Sequence, residues 1–244
     1  MIVITFSNPK GGTGKTTANL ILAEQIAKRG GRVTILDMDP NKNIIGWAED
    51  RAEKGMDVPF RIIPRVENAD DFYDQLEAED EHGDYMLIDL EGTADQLTTF
   101  ATGAADLVLI PMTLTFMEAK QGTRAARLVA SMAKHARRTI PTKLLLTRTS
   151  SAIQGKDEKD MRDMLAEGGA DILPVELMNR TAYNSMFKRG MTLQELYDAT
   201  AAGLEGKSDN ARDRQLRPIR SAMENADAYG SAVLEAVERV VDAK

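Results

Sequence analysis

The sequence predicts an α/β fold, a three-layer α/β/α arrangement in which helices cover both faces of a mostly parallel, twisted sheet. Short runs rich in valine and isoleucine recur along the chain, and most are followed by a longer stretch with helical spacing. The runs are apolar throughout, which is typical of strands buried on both faces. The chain has 244 residues, enough for one sizeable core, and we expect one domain over residues 1–244 with a helical tail from about residue 192.

The predicted elements alternate from the N-terminus. The predicted strands are Ile2–Ser7, Arg32–Asp37, Phe60–Pro64, Tyr85–Leu90, Leu107–Pro111, Lys143–Thr147 and Ile172–Leu177. The predicted helices are Thr16–Arg29, Ile44–Lys54, Ala69–Glu79, Glu118–Ala136 and Lys156–Glu167. Gly30 and Gly31 end the first helix, since glycine accepts the left-handed conformation of a helix C-cap. After Gly190 the strand pattern stops, and the tail is expected to form helices broken near residues 203–210.

Composition excludes several kinds of site. The chain has no cysteine, which rules out disulfides, thiolate-bound zinc, iron–sulfur clusters and a thiol nucleophile, so any metal must bind oxygen ligands. The net charge of −7 disfavours a generally basic nucleic-acid binder, and a DNA partner would need a local patch. The N-terminus runs directly into the first strand and no run of 18 apolar residues occurs, so we expect a cytoplasmic protein.

A glycine-rich turn joins the first strand to the first helix. It reads Lys10-Gly11-Gly12-Thr13-Gly14-Lys15-Thr16-Thr17. Such a turn wraps backbone N–H groups around a phosphate chain, and glycines are needed because side chains would block the close approach. Lys15 is expected to neutralise the β and γ phosphates, and the Thr16 hydroxyl is placed to ligate Mg²⁺. The expected cofactors are therefore ATP or ADP and Mg²⁺.

This loop resembles the deviant Walker A motif of the ParA/MinD class of ATPases. The resemblance covers roughly residues 1–196 and is most specific in the first 90. It implies the P-loop NTPase fold and a slow, partner-stimulated ATP hydrolase. Lys10 matches the family's signature lysine, which implies a homodimer on ATP in which Lys10 reaches the partner's nucleotide. Two facing polyphosphates repel each other unless cations lie between them, which agrees with that role.

Carboxylates follow two of the predicted strands, at the sheet edge where α/β folds bind ligands. Asp37-Met38-Asp39-Pro40-Asn41 resembles the family's Asp-x-Asp-Pro-Gln segment. The match implies that Asp39 orients or activates the attacking water and that Asp37 supports the metal side. A turn capped by Asp and Pro is the structural alternative. Asp89 resembles the Walker B aspartate that holds Mg²⁺, but Glu91 and Gly92 after it depart from the family pattern, which leaves the hydrolysis rate open.

The later resemblance is weaker. The strand ending in Thr147 and Arg148 is similar to the family strand whose exit helps form the base pocket, which implies that Arg148 lines the nucleotide site. Two locally basic groups are candidate DNA contacts, with a solvated helical face as the alternative. They are Arg180, Lys188 and Arg189, and then Lys207, Arg212, Arg214, Arg217 and Arg220.

The final helix has an apolar stripe at helical spacing, formed by Tyr229, Val233, Ala236, Val237, Val240 and Val241. Its polar face is not basic, because Glu235, Glu238 and Asp242 offset Arg239 and Lys244, and anionic lipids would repel that balance. We therefore expect a helix that covers the sheet and no membrane anchor.

The resulting hypothesis is a ParA-like ATPase that segregates plasmid or chromosomal DNA. It would dimerise on ATP, bind DNA without sequence preference, associate with the nucleoid and release DNA when a ParB-like or other adaptor stimulates hydrolysis. A second hypothesis keeps the ATPase as a positioning or recruitment factor for a conjugation or T-DNA transfer apparatus or another polar complex. A third, a nucleotide-binding scaffold or metabolic kinase, lacks a recognisable acceptor site.

Overall fold

A parallel sheet forms the centre of the protein. The computed structural model describes residues 1–91, 96–135, 138–150 and 156–242. Within these residues seven strands form one sheet in the order β3-β2-β4-β1-β5-β6-β7, and every pairing is parallel. The strands are β1 Ile2–Phe6, β2 Val33–Asp37, β3 Arg61–Pro64, β4 Tyr85–Asp89, β5 Leu107–Thr113, β6 Thr142–Thr149 and β7 Leu177–Met178.

Helices connect the strands and cover both faces of the sheet, which confirms the predicted α/β fold. The described helices are α1 Lys15–Lys28, α2 Asn43–Glu53, α3 Ala69–Asp80, α4 Gln96–Ala104, α5 Phe116–His135, α6 Lys156–Glu167, α7 Thr181–Arg189, α8 Leu193–Ala202 and α9 Asp209–Val241. One large apolar cluster lies between the sheet, α1 and α9, and two smaller clusters fill the opposite side.

The register of the central strands brings their carboxyl ends to one level. Phe6 at the end of β1 pairs with Asp89 at the end of β4. Asp37 at the end of β2 pairs with the same Asp89 on the other side. Because parallel strands are buried on both faces, their apolar interiors specify this alignment, and polar residues collect where the strands end. The turn that follows β1 therefore lies beside both carboxylates.

The last helix packs against both α1 and α8. Tyr229, Val233, Ala236 and Val237 are buried in the same cluster as α1, and the Tyr229 hydroxyl donates to the carbonyl of Ala18 at 3.3 Å. The apolar stripe of α9 is thus part of the core as far as Val237, whereas Val241 is 49% exposed. Among the described residues, no helix is both long enough and apolar enough to cross a bilayer.

Several predicted boundaries and elements differ from the structure. The apolar pattern predicts a seventh strand over Ile172–Leu177, but Ile172 makes only an isolated bridge to Leu144 and β7 starts at Leu177. Pro174 lies between them and has no N–H to donate, so the ladder cannot continue through it.

Helices α4 and α7 are absent from the predicted set, because each is only nine residues long. The predicted break near residues 203–210 is confirmed between α8 and α9. Ala136, the predicted end of the fourth connecting helix, lies outside the described residues, and the assignment of the chain to one domain stays a prediction.

Candidate nucleotide and magnesium site

The glycine-rich turn after β1 has backbone angles that residues with a side chain rarely adopt. Gly12 and Gly14 have φ values of 77° and 89°, in the left-handed region that favours glycine. Gly14 is also the N-cap of α1, which has no side-chain cap and no acidic residue in its first turn. No side chain therefore caps the first N–H groups of α1. A helix start of this kind is a ready anion site.

Lys15 lies beneath the turn. It is only 6% exposed, and its Nζ donates to the carbonyl of Asn8 at 3.1 Å and to that of Lys10 at 3.3 Å. Burial lowers the pKa of Lys15, and the nearby carboxylates of Asp89, Asp39 and Glu91 oppose this effect. The ammonium is thus surrounded by the acidic side chains that the sequence pattern indicated. It is positioned to neutralise an anion bound by the turn.

Asp89 is fully buried at the end of β4, and neither of its carboxylate oxygens has a hydrogen-bond partner of normal geometry among the described residues. Burial raises its pKa to about 7. The Thr16 hydroxyl and Lys15 lower the pKa, whereas the charges of Asp37 and Asp39 raise it further. A buried carboxylate without a partner is costly unless a cation satisfies it. The residues present therefore fit a divalent ion at this position.

The donor set fits magnesium better than a metal caged by protein alone. In the part of the chain that the structure describes, no three His, Asp or Glu side chains converge on one point. Magnesium commonly uses one or two carboxylates and completes its shell with phosphate oxygens and water. Asp89 and the neighbouring Thr16 hydroxyl are the groups that would hold it.

Asp37 has a structural task of the capping kind that the sequence offered as the alternative for this segment. Its Oδ2 accepts the amides of Ile44 and Ile45, both at 3.2 Å, and its Oδ1 accepts the amide of Asp39 at 3.3 Å. Burial raises its pKa, while these amides lower it. Asp37 thus caps the start of α2 and shapes the loop that carries Asp39. Its expected support of the metal stays a prediction.

Asp39 lies half-exposed beside Lys15, at the open side of the site. Its Oδ1 accepts the amide of Asn41 at 2.9 Å and the side-chain Nδ2 of Asn41 at 2.8 Å. Asn41, which replaces the family's glutamine, therefore orients the carboxylate. The position near solvent suits a residue that must contact water.

Arg65 connects the loop after β2 with the exit of β4, and sequence analysis missed this residue. Its Nη1 donates to the carbonyl of Met38 at 3.0 Å and lies 3.2 Å from Oε2 of Glu91. The amide of Met38 in turn donates to the carbonyl of Asp89 at 3.0 Å. Glu91 thus helps to hold the loop after β2 against the exit of β4. No sequence signal marked Arg65, which follows a strand-ending proline like many turn residues. Gly92 lies outside the described residues.

Lys10 is held at the other side of the turn. Its Nζ lies 2.7 Å from Oε1 of Glu118 at the start of α5. Its amide donates to Oδ1 of Asn8 at 2.9 Å, and Asn8 donates to the carbonyl of Pro111 at 2.7 Å. The turn is therefore fastened to the exit of β5 through both side chain and backbone.

A cavity opens beside the start of α1, on the side of β6 and β7. Its lining residues are Gly14, Thr17, Thr147, Arg148, Leu177, Met178, Asn179, Arg180, Tyr183 and Asn184. The Thr147 hydroxyl donates to the carbonyl of Thr13 at 2.7 Å, which fixes the turn to β6. Arg148 has a φ of 55°, so the chain bends sharply where it leaves the cavity. The cavity adjoins the turn, as a base pocket must.

The predicted basic groups are not brought together. Arg180 lines the cavity beside Gly14, whereas Lys188 and Arg189 are exposed at the far end of α7, about 13 Å along the helix. Lys207 precedes α9, and Arg212, Arg214, Arg217 and Arg220 lie in its first four turns. At about 100° per residue these four arginines spread over roughly 200° of the helix surface. Arg220 is also paired with Asp213.

The comparisons with known proteins agree with this geometry. The sequence matches the VirC1 protein family over residues 1–239. It is 29% identical to "Protein ParA" of Rhizobium radiobacter over 96% of this chain and 97% of that protein. It is 28% identical to "Protein virC1" of Rhizobium rhizogenes over 98% and 100% of the two chains. The fold resembles that of McdA from Cyanothece in its ATP complex, with a TM-score of 0.64 and 19% identity over 92% and 96% of the two chains. The chain therefore belongs to the VirC1 protein family, within the ParA/MinD class of deviant Walker A ATPases.

Proposed function

We propose that this protein is a Mg²⁺-dependent ATPase switch that binds ATP at the turn after β1, dimerises on it and drives the segregation of plasmid or chromosomal DNA. The observation that carries the proposal is the buried carboxylate of Asp89. It has no hydrogen-bond partner of normal geometry in the described residues and lies next to the uncapped start of α1 and the buried Lys15. An anion and a divalent cation bound together would satisfy all three groups.

The proposal gives each residue of the site a role that its position allows. The amides of residues 11–17 and Lys15 bind the phosphates, and Thr16 and Asp89 hold Mg²⁺. When bound, the ion neutralises phosphate charge and orients the γ phosphate. Asp37 keeps the Asp39 loop in place through its amide contacts. Asp39 orients the attacking water, and Lys10 stabilises the charge on the nucleotide of the partner chain. Arg148 lines the pocket for the base.

Dimerisation is supported by the surface around Lys10. Phe116 and Met117 at the start of α5 are each 64% exposed, and Leu128 on the same helix is 48% exposed. Pro9, Lys10, Arg124 and Leu128 line one shallow depression there. A second copy of this chain covering that depression would also face Lys10, as the proposed contact with its nucleotide requires.

Two substitutions test the ATPase proposal. Lys15→Ala should lower ATP affinity at least tenfold, because a charge-assisted contact with phosphate contributes about 1.5–3 kcal/mol. Asp39→Ala should still bind ATP but should lose hydrolysis, and gel filtration with light scattering should show a stable dimer with ATP and Mg²⁺. Asp74→Ala, an exposed carboxylate on α3, serves as the control. An Asp39→Ala protein that stays monomeric with saturating ATP would contradict the proposal.

A second candidate function is the recruitment of a transfer apparatus or another polar complex by the same ATPase cycle. One structural observation favours it, since the basic residues at the start of α9 spread over roughly 200° of the helix surface. The full-length relatives also carry two different names, ParA and virC1. DNA binding that depends on ATP supports segregation, and its absence supports recruitment.

A further inference from the structure

One carboxylate of the same chain holds the ammonium of Lys10. Oε1 of Glu118 lies 2.7 Å from the Lys10 Nζ, and Oε2 accepts the amide of Thr113 at 2.6 Å. The Glu118 side chain is 8% exposed, whereas that of Lys10 is 47% exposed. The carboxylate is therefore anchored at the end of β5, while the lysine can swing into solvent without moving the backbone.

Glu118 remains a charged partner at neutral pH. Burial alone would raise its pKa, but the hydrogen bonds from Lys10 and Thr113 and the charge of Lys10 hold the pKa below its usual value. A lysine ammonium is a compact point charge. It can pair with this carboxylate or with a polyphosphate of a second chain.

We propose that Glu118 is a positioning residue that retains Lys10 in its own chain and competes with the nucleotide of a second copy for it. The inference rests on the proposed function and adds the regulation of that site. A triphosphate carries more negative charge than a diphosphate, so ATP in the partner draws Lys10 away from Glu118 more strongly than ADP does. Glu118 weakens dimerisation by the same factor for both nucleotides, which keeps the ADP form monomeric at concentrations at which the ATP form still dimerises.

The substitution Glu118→Gln tests this competition. Glutamine keeps an acceptor for the Thr113 amide and removes the charge that holds Lys10. Each lysine that is released should strengthen dimerisation about threefold, because one partly exposed ion pair no longer opposes it. The dimer contains two such lysines, so its dissociation constant should fall about tenfold. Sedimentation velocity with ATP and Mg²⁺ measures the dissociation constant. The same variant should also show dimer with ADP at concentrations at which the wild type is monomeric.

A second measurement reports the ion pair without any nucleotide. Acylation of lysines followed by mass spectrometry should show faster modification of Lys10 in Glu118→Gln than in the wild type. Lys143, which pairs with Asp171 at 2.7 Å, is the matched control and should be unchanged. Glu118→Asp should restore part of the protection. In a Lys10→Gln background, Glu118→Gln should have no further effect on dimerisation.

The outcomes separate this inference from the proposed function. The inference alone is overturned if the wild type dimerises on ATP and Glu118→Gln dimerises with the same affinity. It is also overturned if the acylation rate of Lys10 is the same in the variant as in the wild type. An effect of Glu118→Gln that persists in the Lys10→Gln background also overturns it, because the charge would then act elsewhere. A wild type and an Asp39→Ala variant that both remain monomeric with ATP overturn the inference and the proposed function together.

Discussion

Asp89 links the chemistry of the site to the pH dependence of folding. Its pKa is about 7 in the folded protein against 3.8 for an ordinary aspartate, chiefly because it is buried. Between these two values the folded state keeps a proton that the unfolded chain has released. Stability in the absence of ligand should therefore fall as pH rises from about 4 to about 7 and then level off.

A substitution at Asp89 tests this expectation. At pH 8 Asp89→Asn should raise the free energy of unfolding by about 2–4 kcal/mol without Mg²⁺ or nucleotide, because it removes a buried charge that Thr16 and Lys15 compensate only in part. The same variant should lose Mg²⁺-dependent ATP binding. Urea unfolding between pH 5 and pH 8 measures the first effect. A variant less stable than the wild type at pH 8 would contradict the interpretation.

Glu24 serves as a control, because its pKa is raised as that of Asp89 is and it lies outside the proposed metal site. Burial raises its pKa from 4.5 to about 7, although the amides of Leu193 and Gln194 lower it. Glu24 lies on α1 and accepts the Leu193 amide at 3.0 Å at the start of α8. Glu24→Gln should flatten the pH dependence in the same window. Unlike Asp89→Asn, it should leave Mg²⁺-dependent ATP binding intact.

At the scale of elements, the close packing of α9 on α1 supports the helix that begins the site. A Cβ added at Gly230 of α9 would lie 2.7 Å from Cβ of Gln25 on α1, which is closer than real contacts allow. Arg29 of α1 also binds the carbonyl and carboxylate of Asp227 on α9. The position of α1, and with it the uncapped helix start, therefore depends on a helix near the end of the chain.

Gly230→Ala tests this packing. We expect a decrease of about 1–3 kcal/mol in the free energy of unfolding, since the two helices must separate to admit the methyl group. Gly46→Ala in α2 is the matched control, because nothing lies within 4 Å of the added Cβ, and it should gain about 0.5–1 kcal/mol from helix propensity. Chemical denaturation of both variants gives the comparison. Equal effects at the two glycines would exclude tight packing at Gly230.

A second group of contacts joins α2 to α7 and α8. Arg51 is 1% exposed, donates to both oxygens of Glu195 and to the carbonyl of Gly190, and lies 4.8 Å from the Trp47 ring centroid. These contacts hold the pKa of Glu195 at about 2, well below its usual value. Because α2 begins at the amides capped by Asp37, the nucleotide loop and the distal helices belong to one packed series of elements.

At the scale of the whole molecule, the proposed DNA cargo requires a basic surface on an acidic protein. The net charge is −7, yet Lys188, Arg189, Lys207, Arg214 and Arg217 are exposed near the later helices. In one copy these residues are divided between α7, the segment before α9 and α9 itself. A dimer would present two sets, which is the arrangement in which weak phosphate contacts add up.

DNA binding should therefore depend on ATP and on salt. We expect the wild type with ATP and Mg²⁺ to bind random-sequence duplex, and the affinity to fall steeply with salt. Arg214→Ala combined with Arg217→Ala should reduce the slope of log affinity against log salt by about 1 for each phosphate that an arginine no longer neutralises. Arg32→Ala, an exposed arginine before β2, is the control. Fluorescence anisotropy that detects no binding in any nucleotide state would favour recruitment over segregation.

The sequence by itself determined the fold class and the residue types of the candidate site. Buried parallel strands need continuous apolar runs, and a phosphate turn needs glycines, a lysine and a hydroxyl at adjacent positions, so local pattern suffices for both. Asp37, Asp39 and Asp89 were recognisable because carboxylates at strand ends reach the same edge of a parallel sheet.

Only the tertiary structure decided which distant residues complete that site. Glu118 lies 108 positions from Lys10, Arg65 joins Met38 to Glu91, and Arg180 lies beside Gly14 and apart from Lys188 and Arg189. Pro174 likewise shortened a strand that apolar composition alone favoured. Such contacts depend on strand order, register and helix packing, which arise from the whole chain at once and leave no periodic signal in the residues that make them.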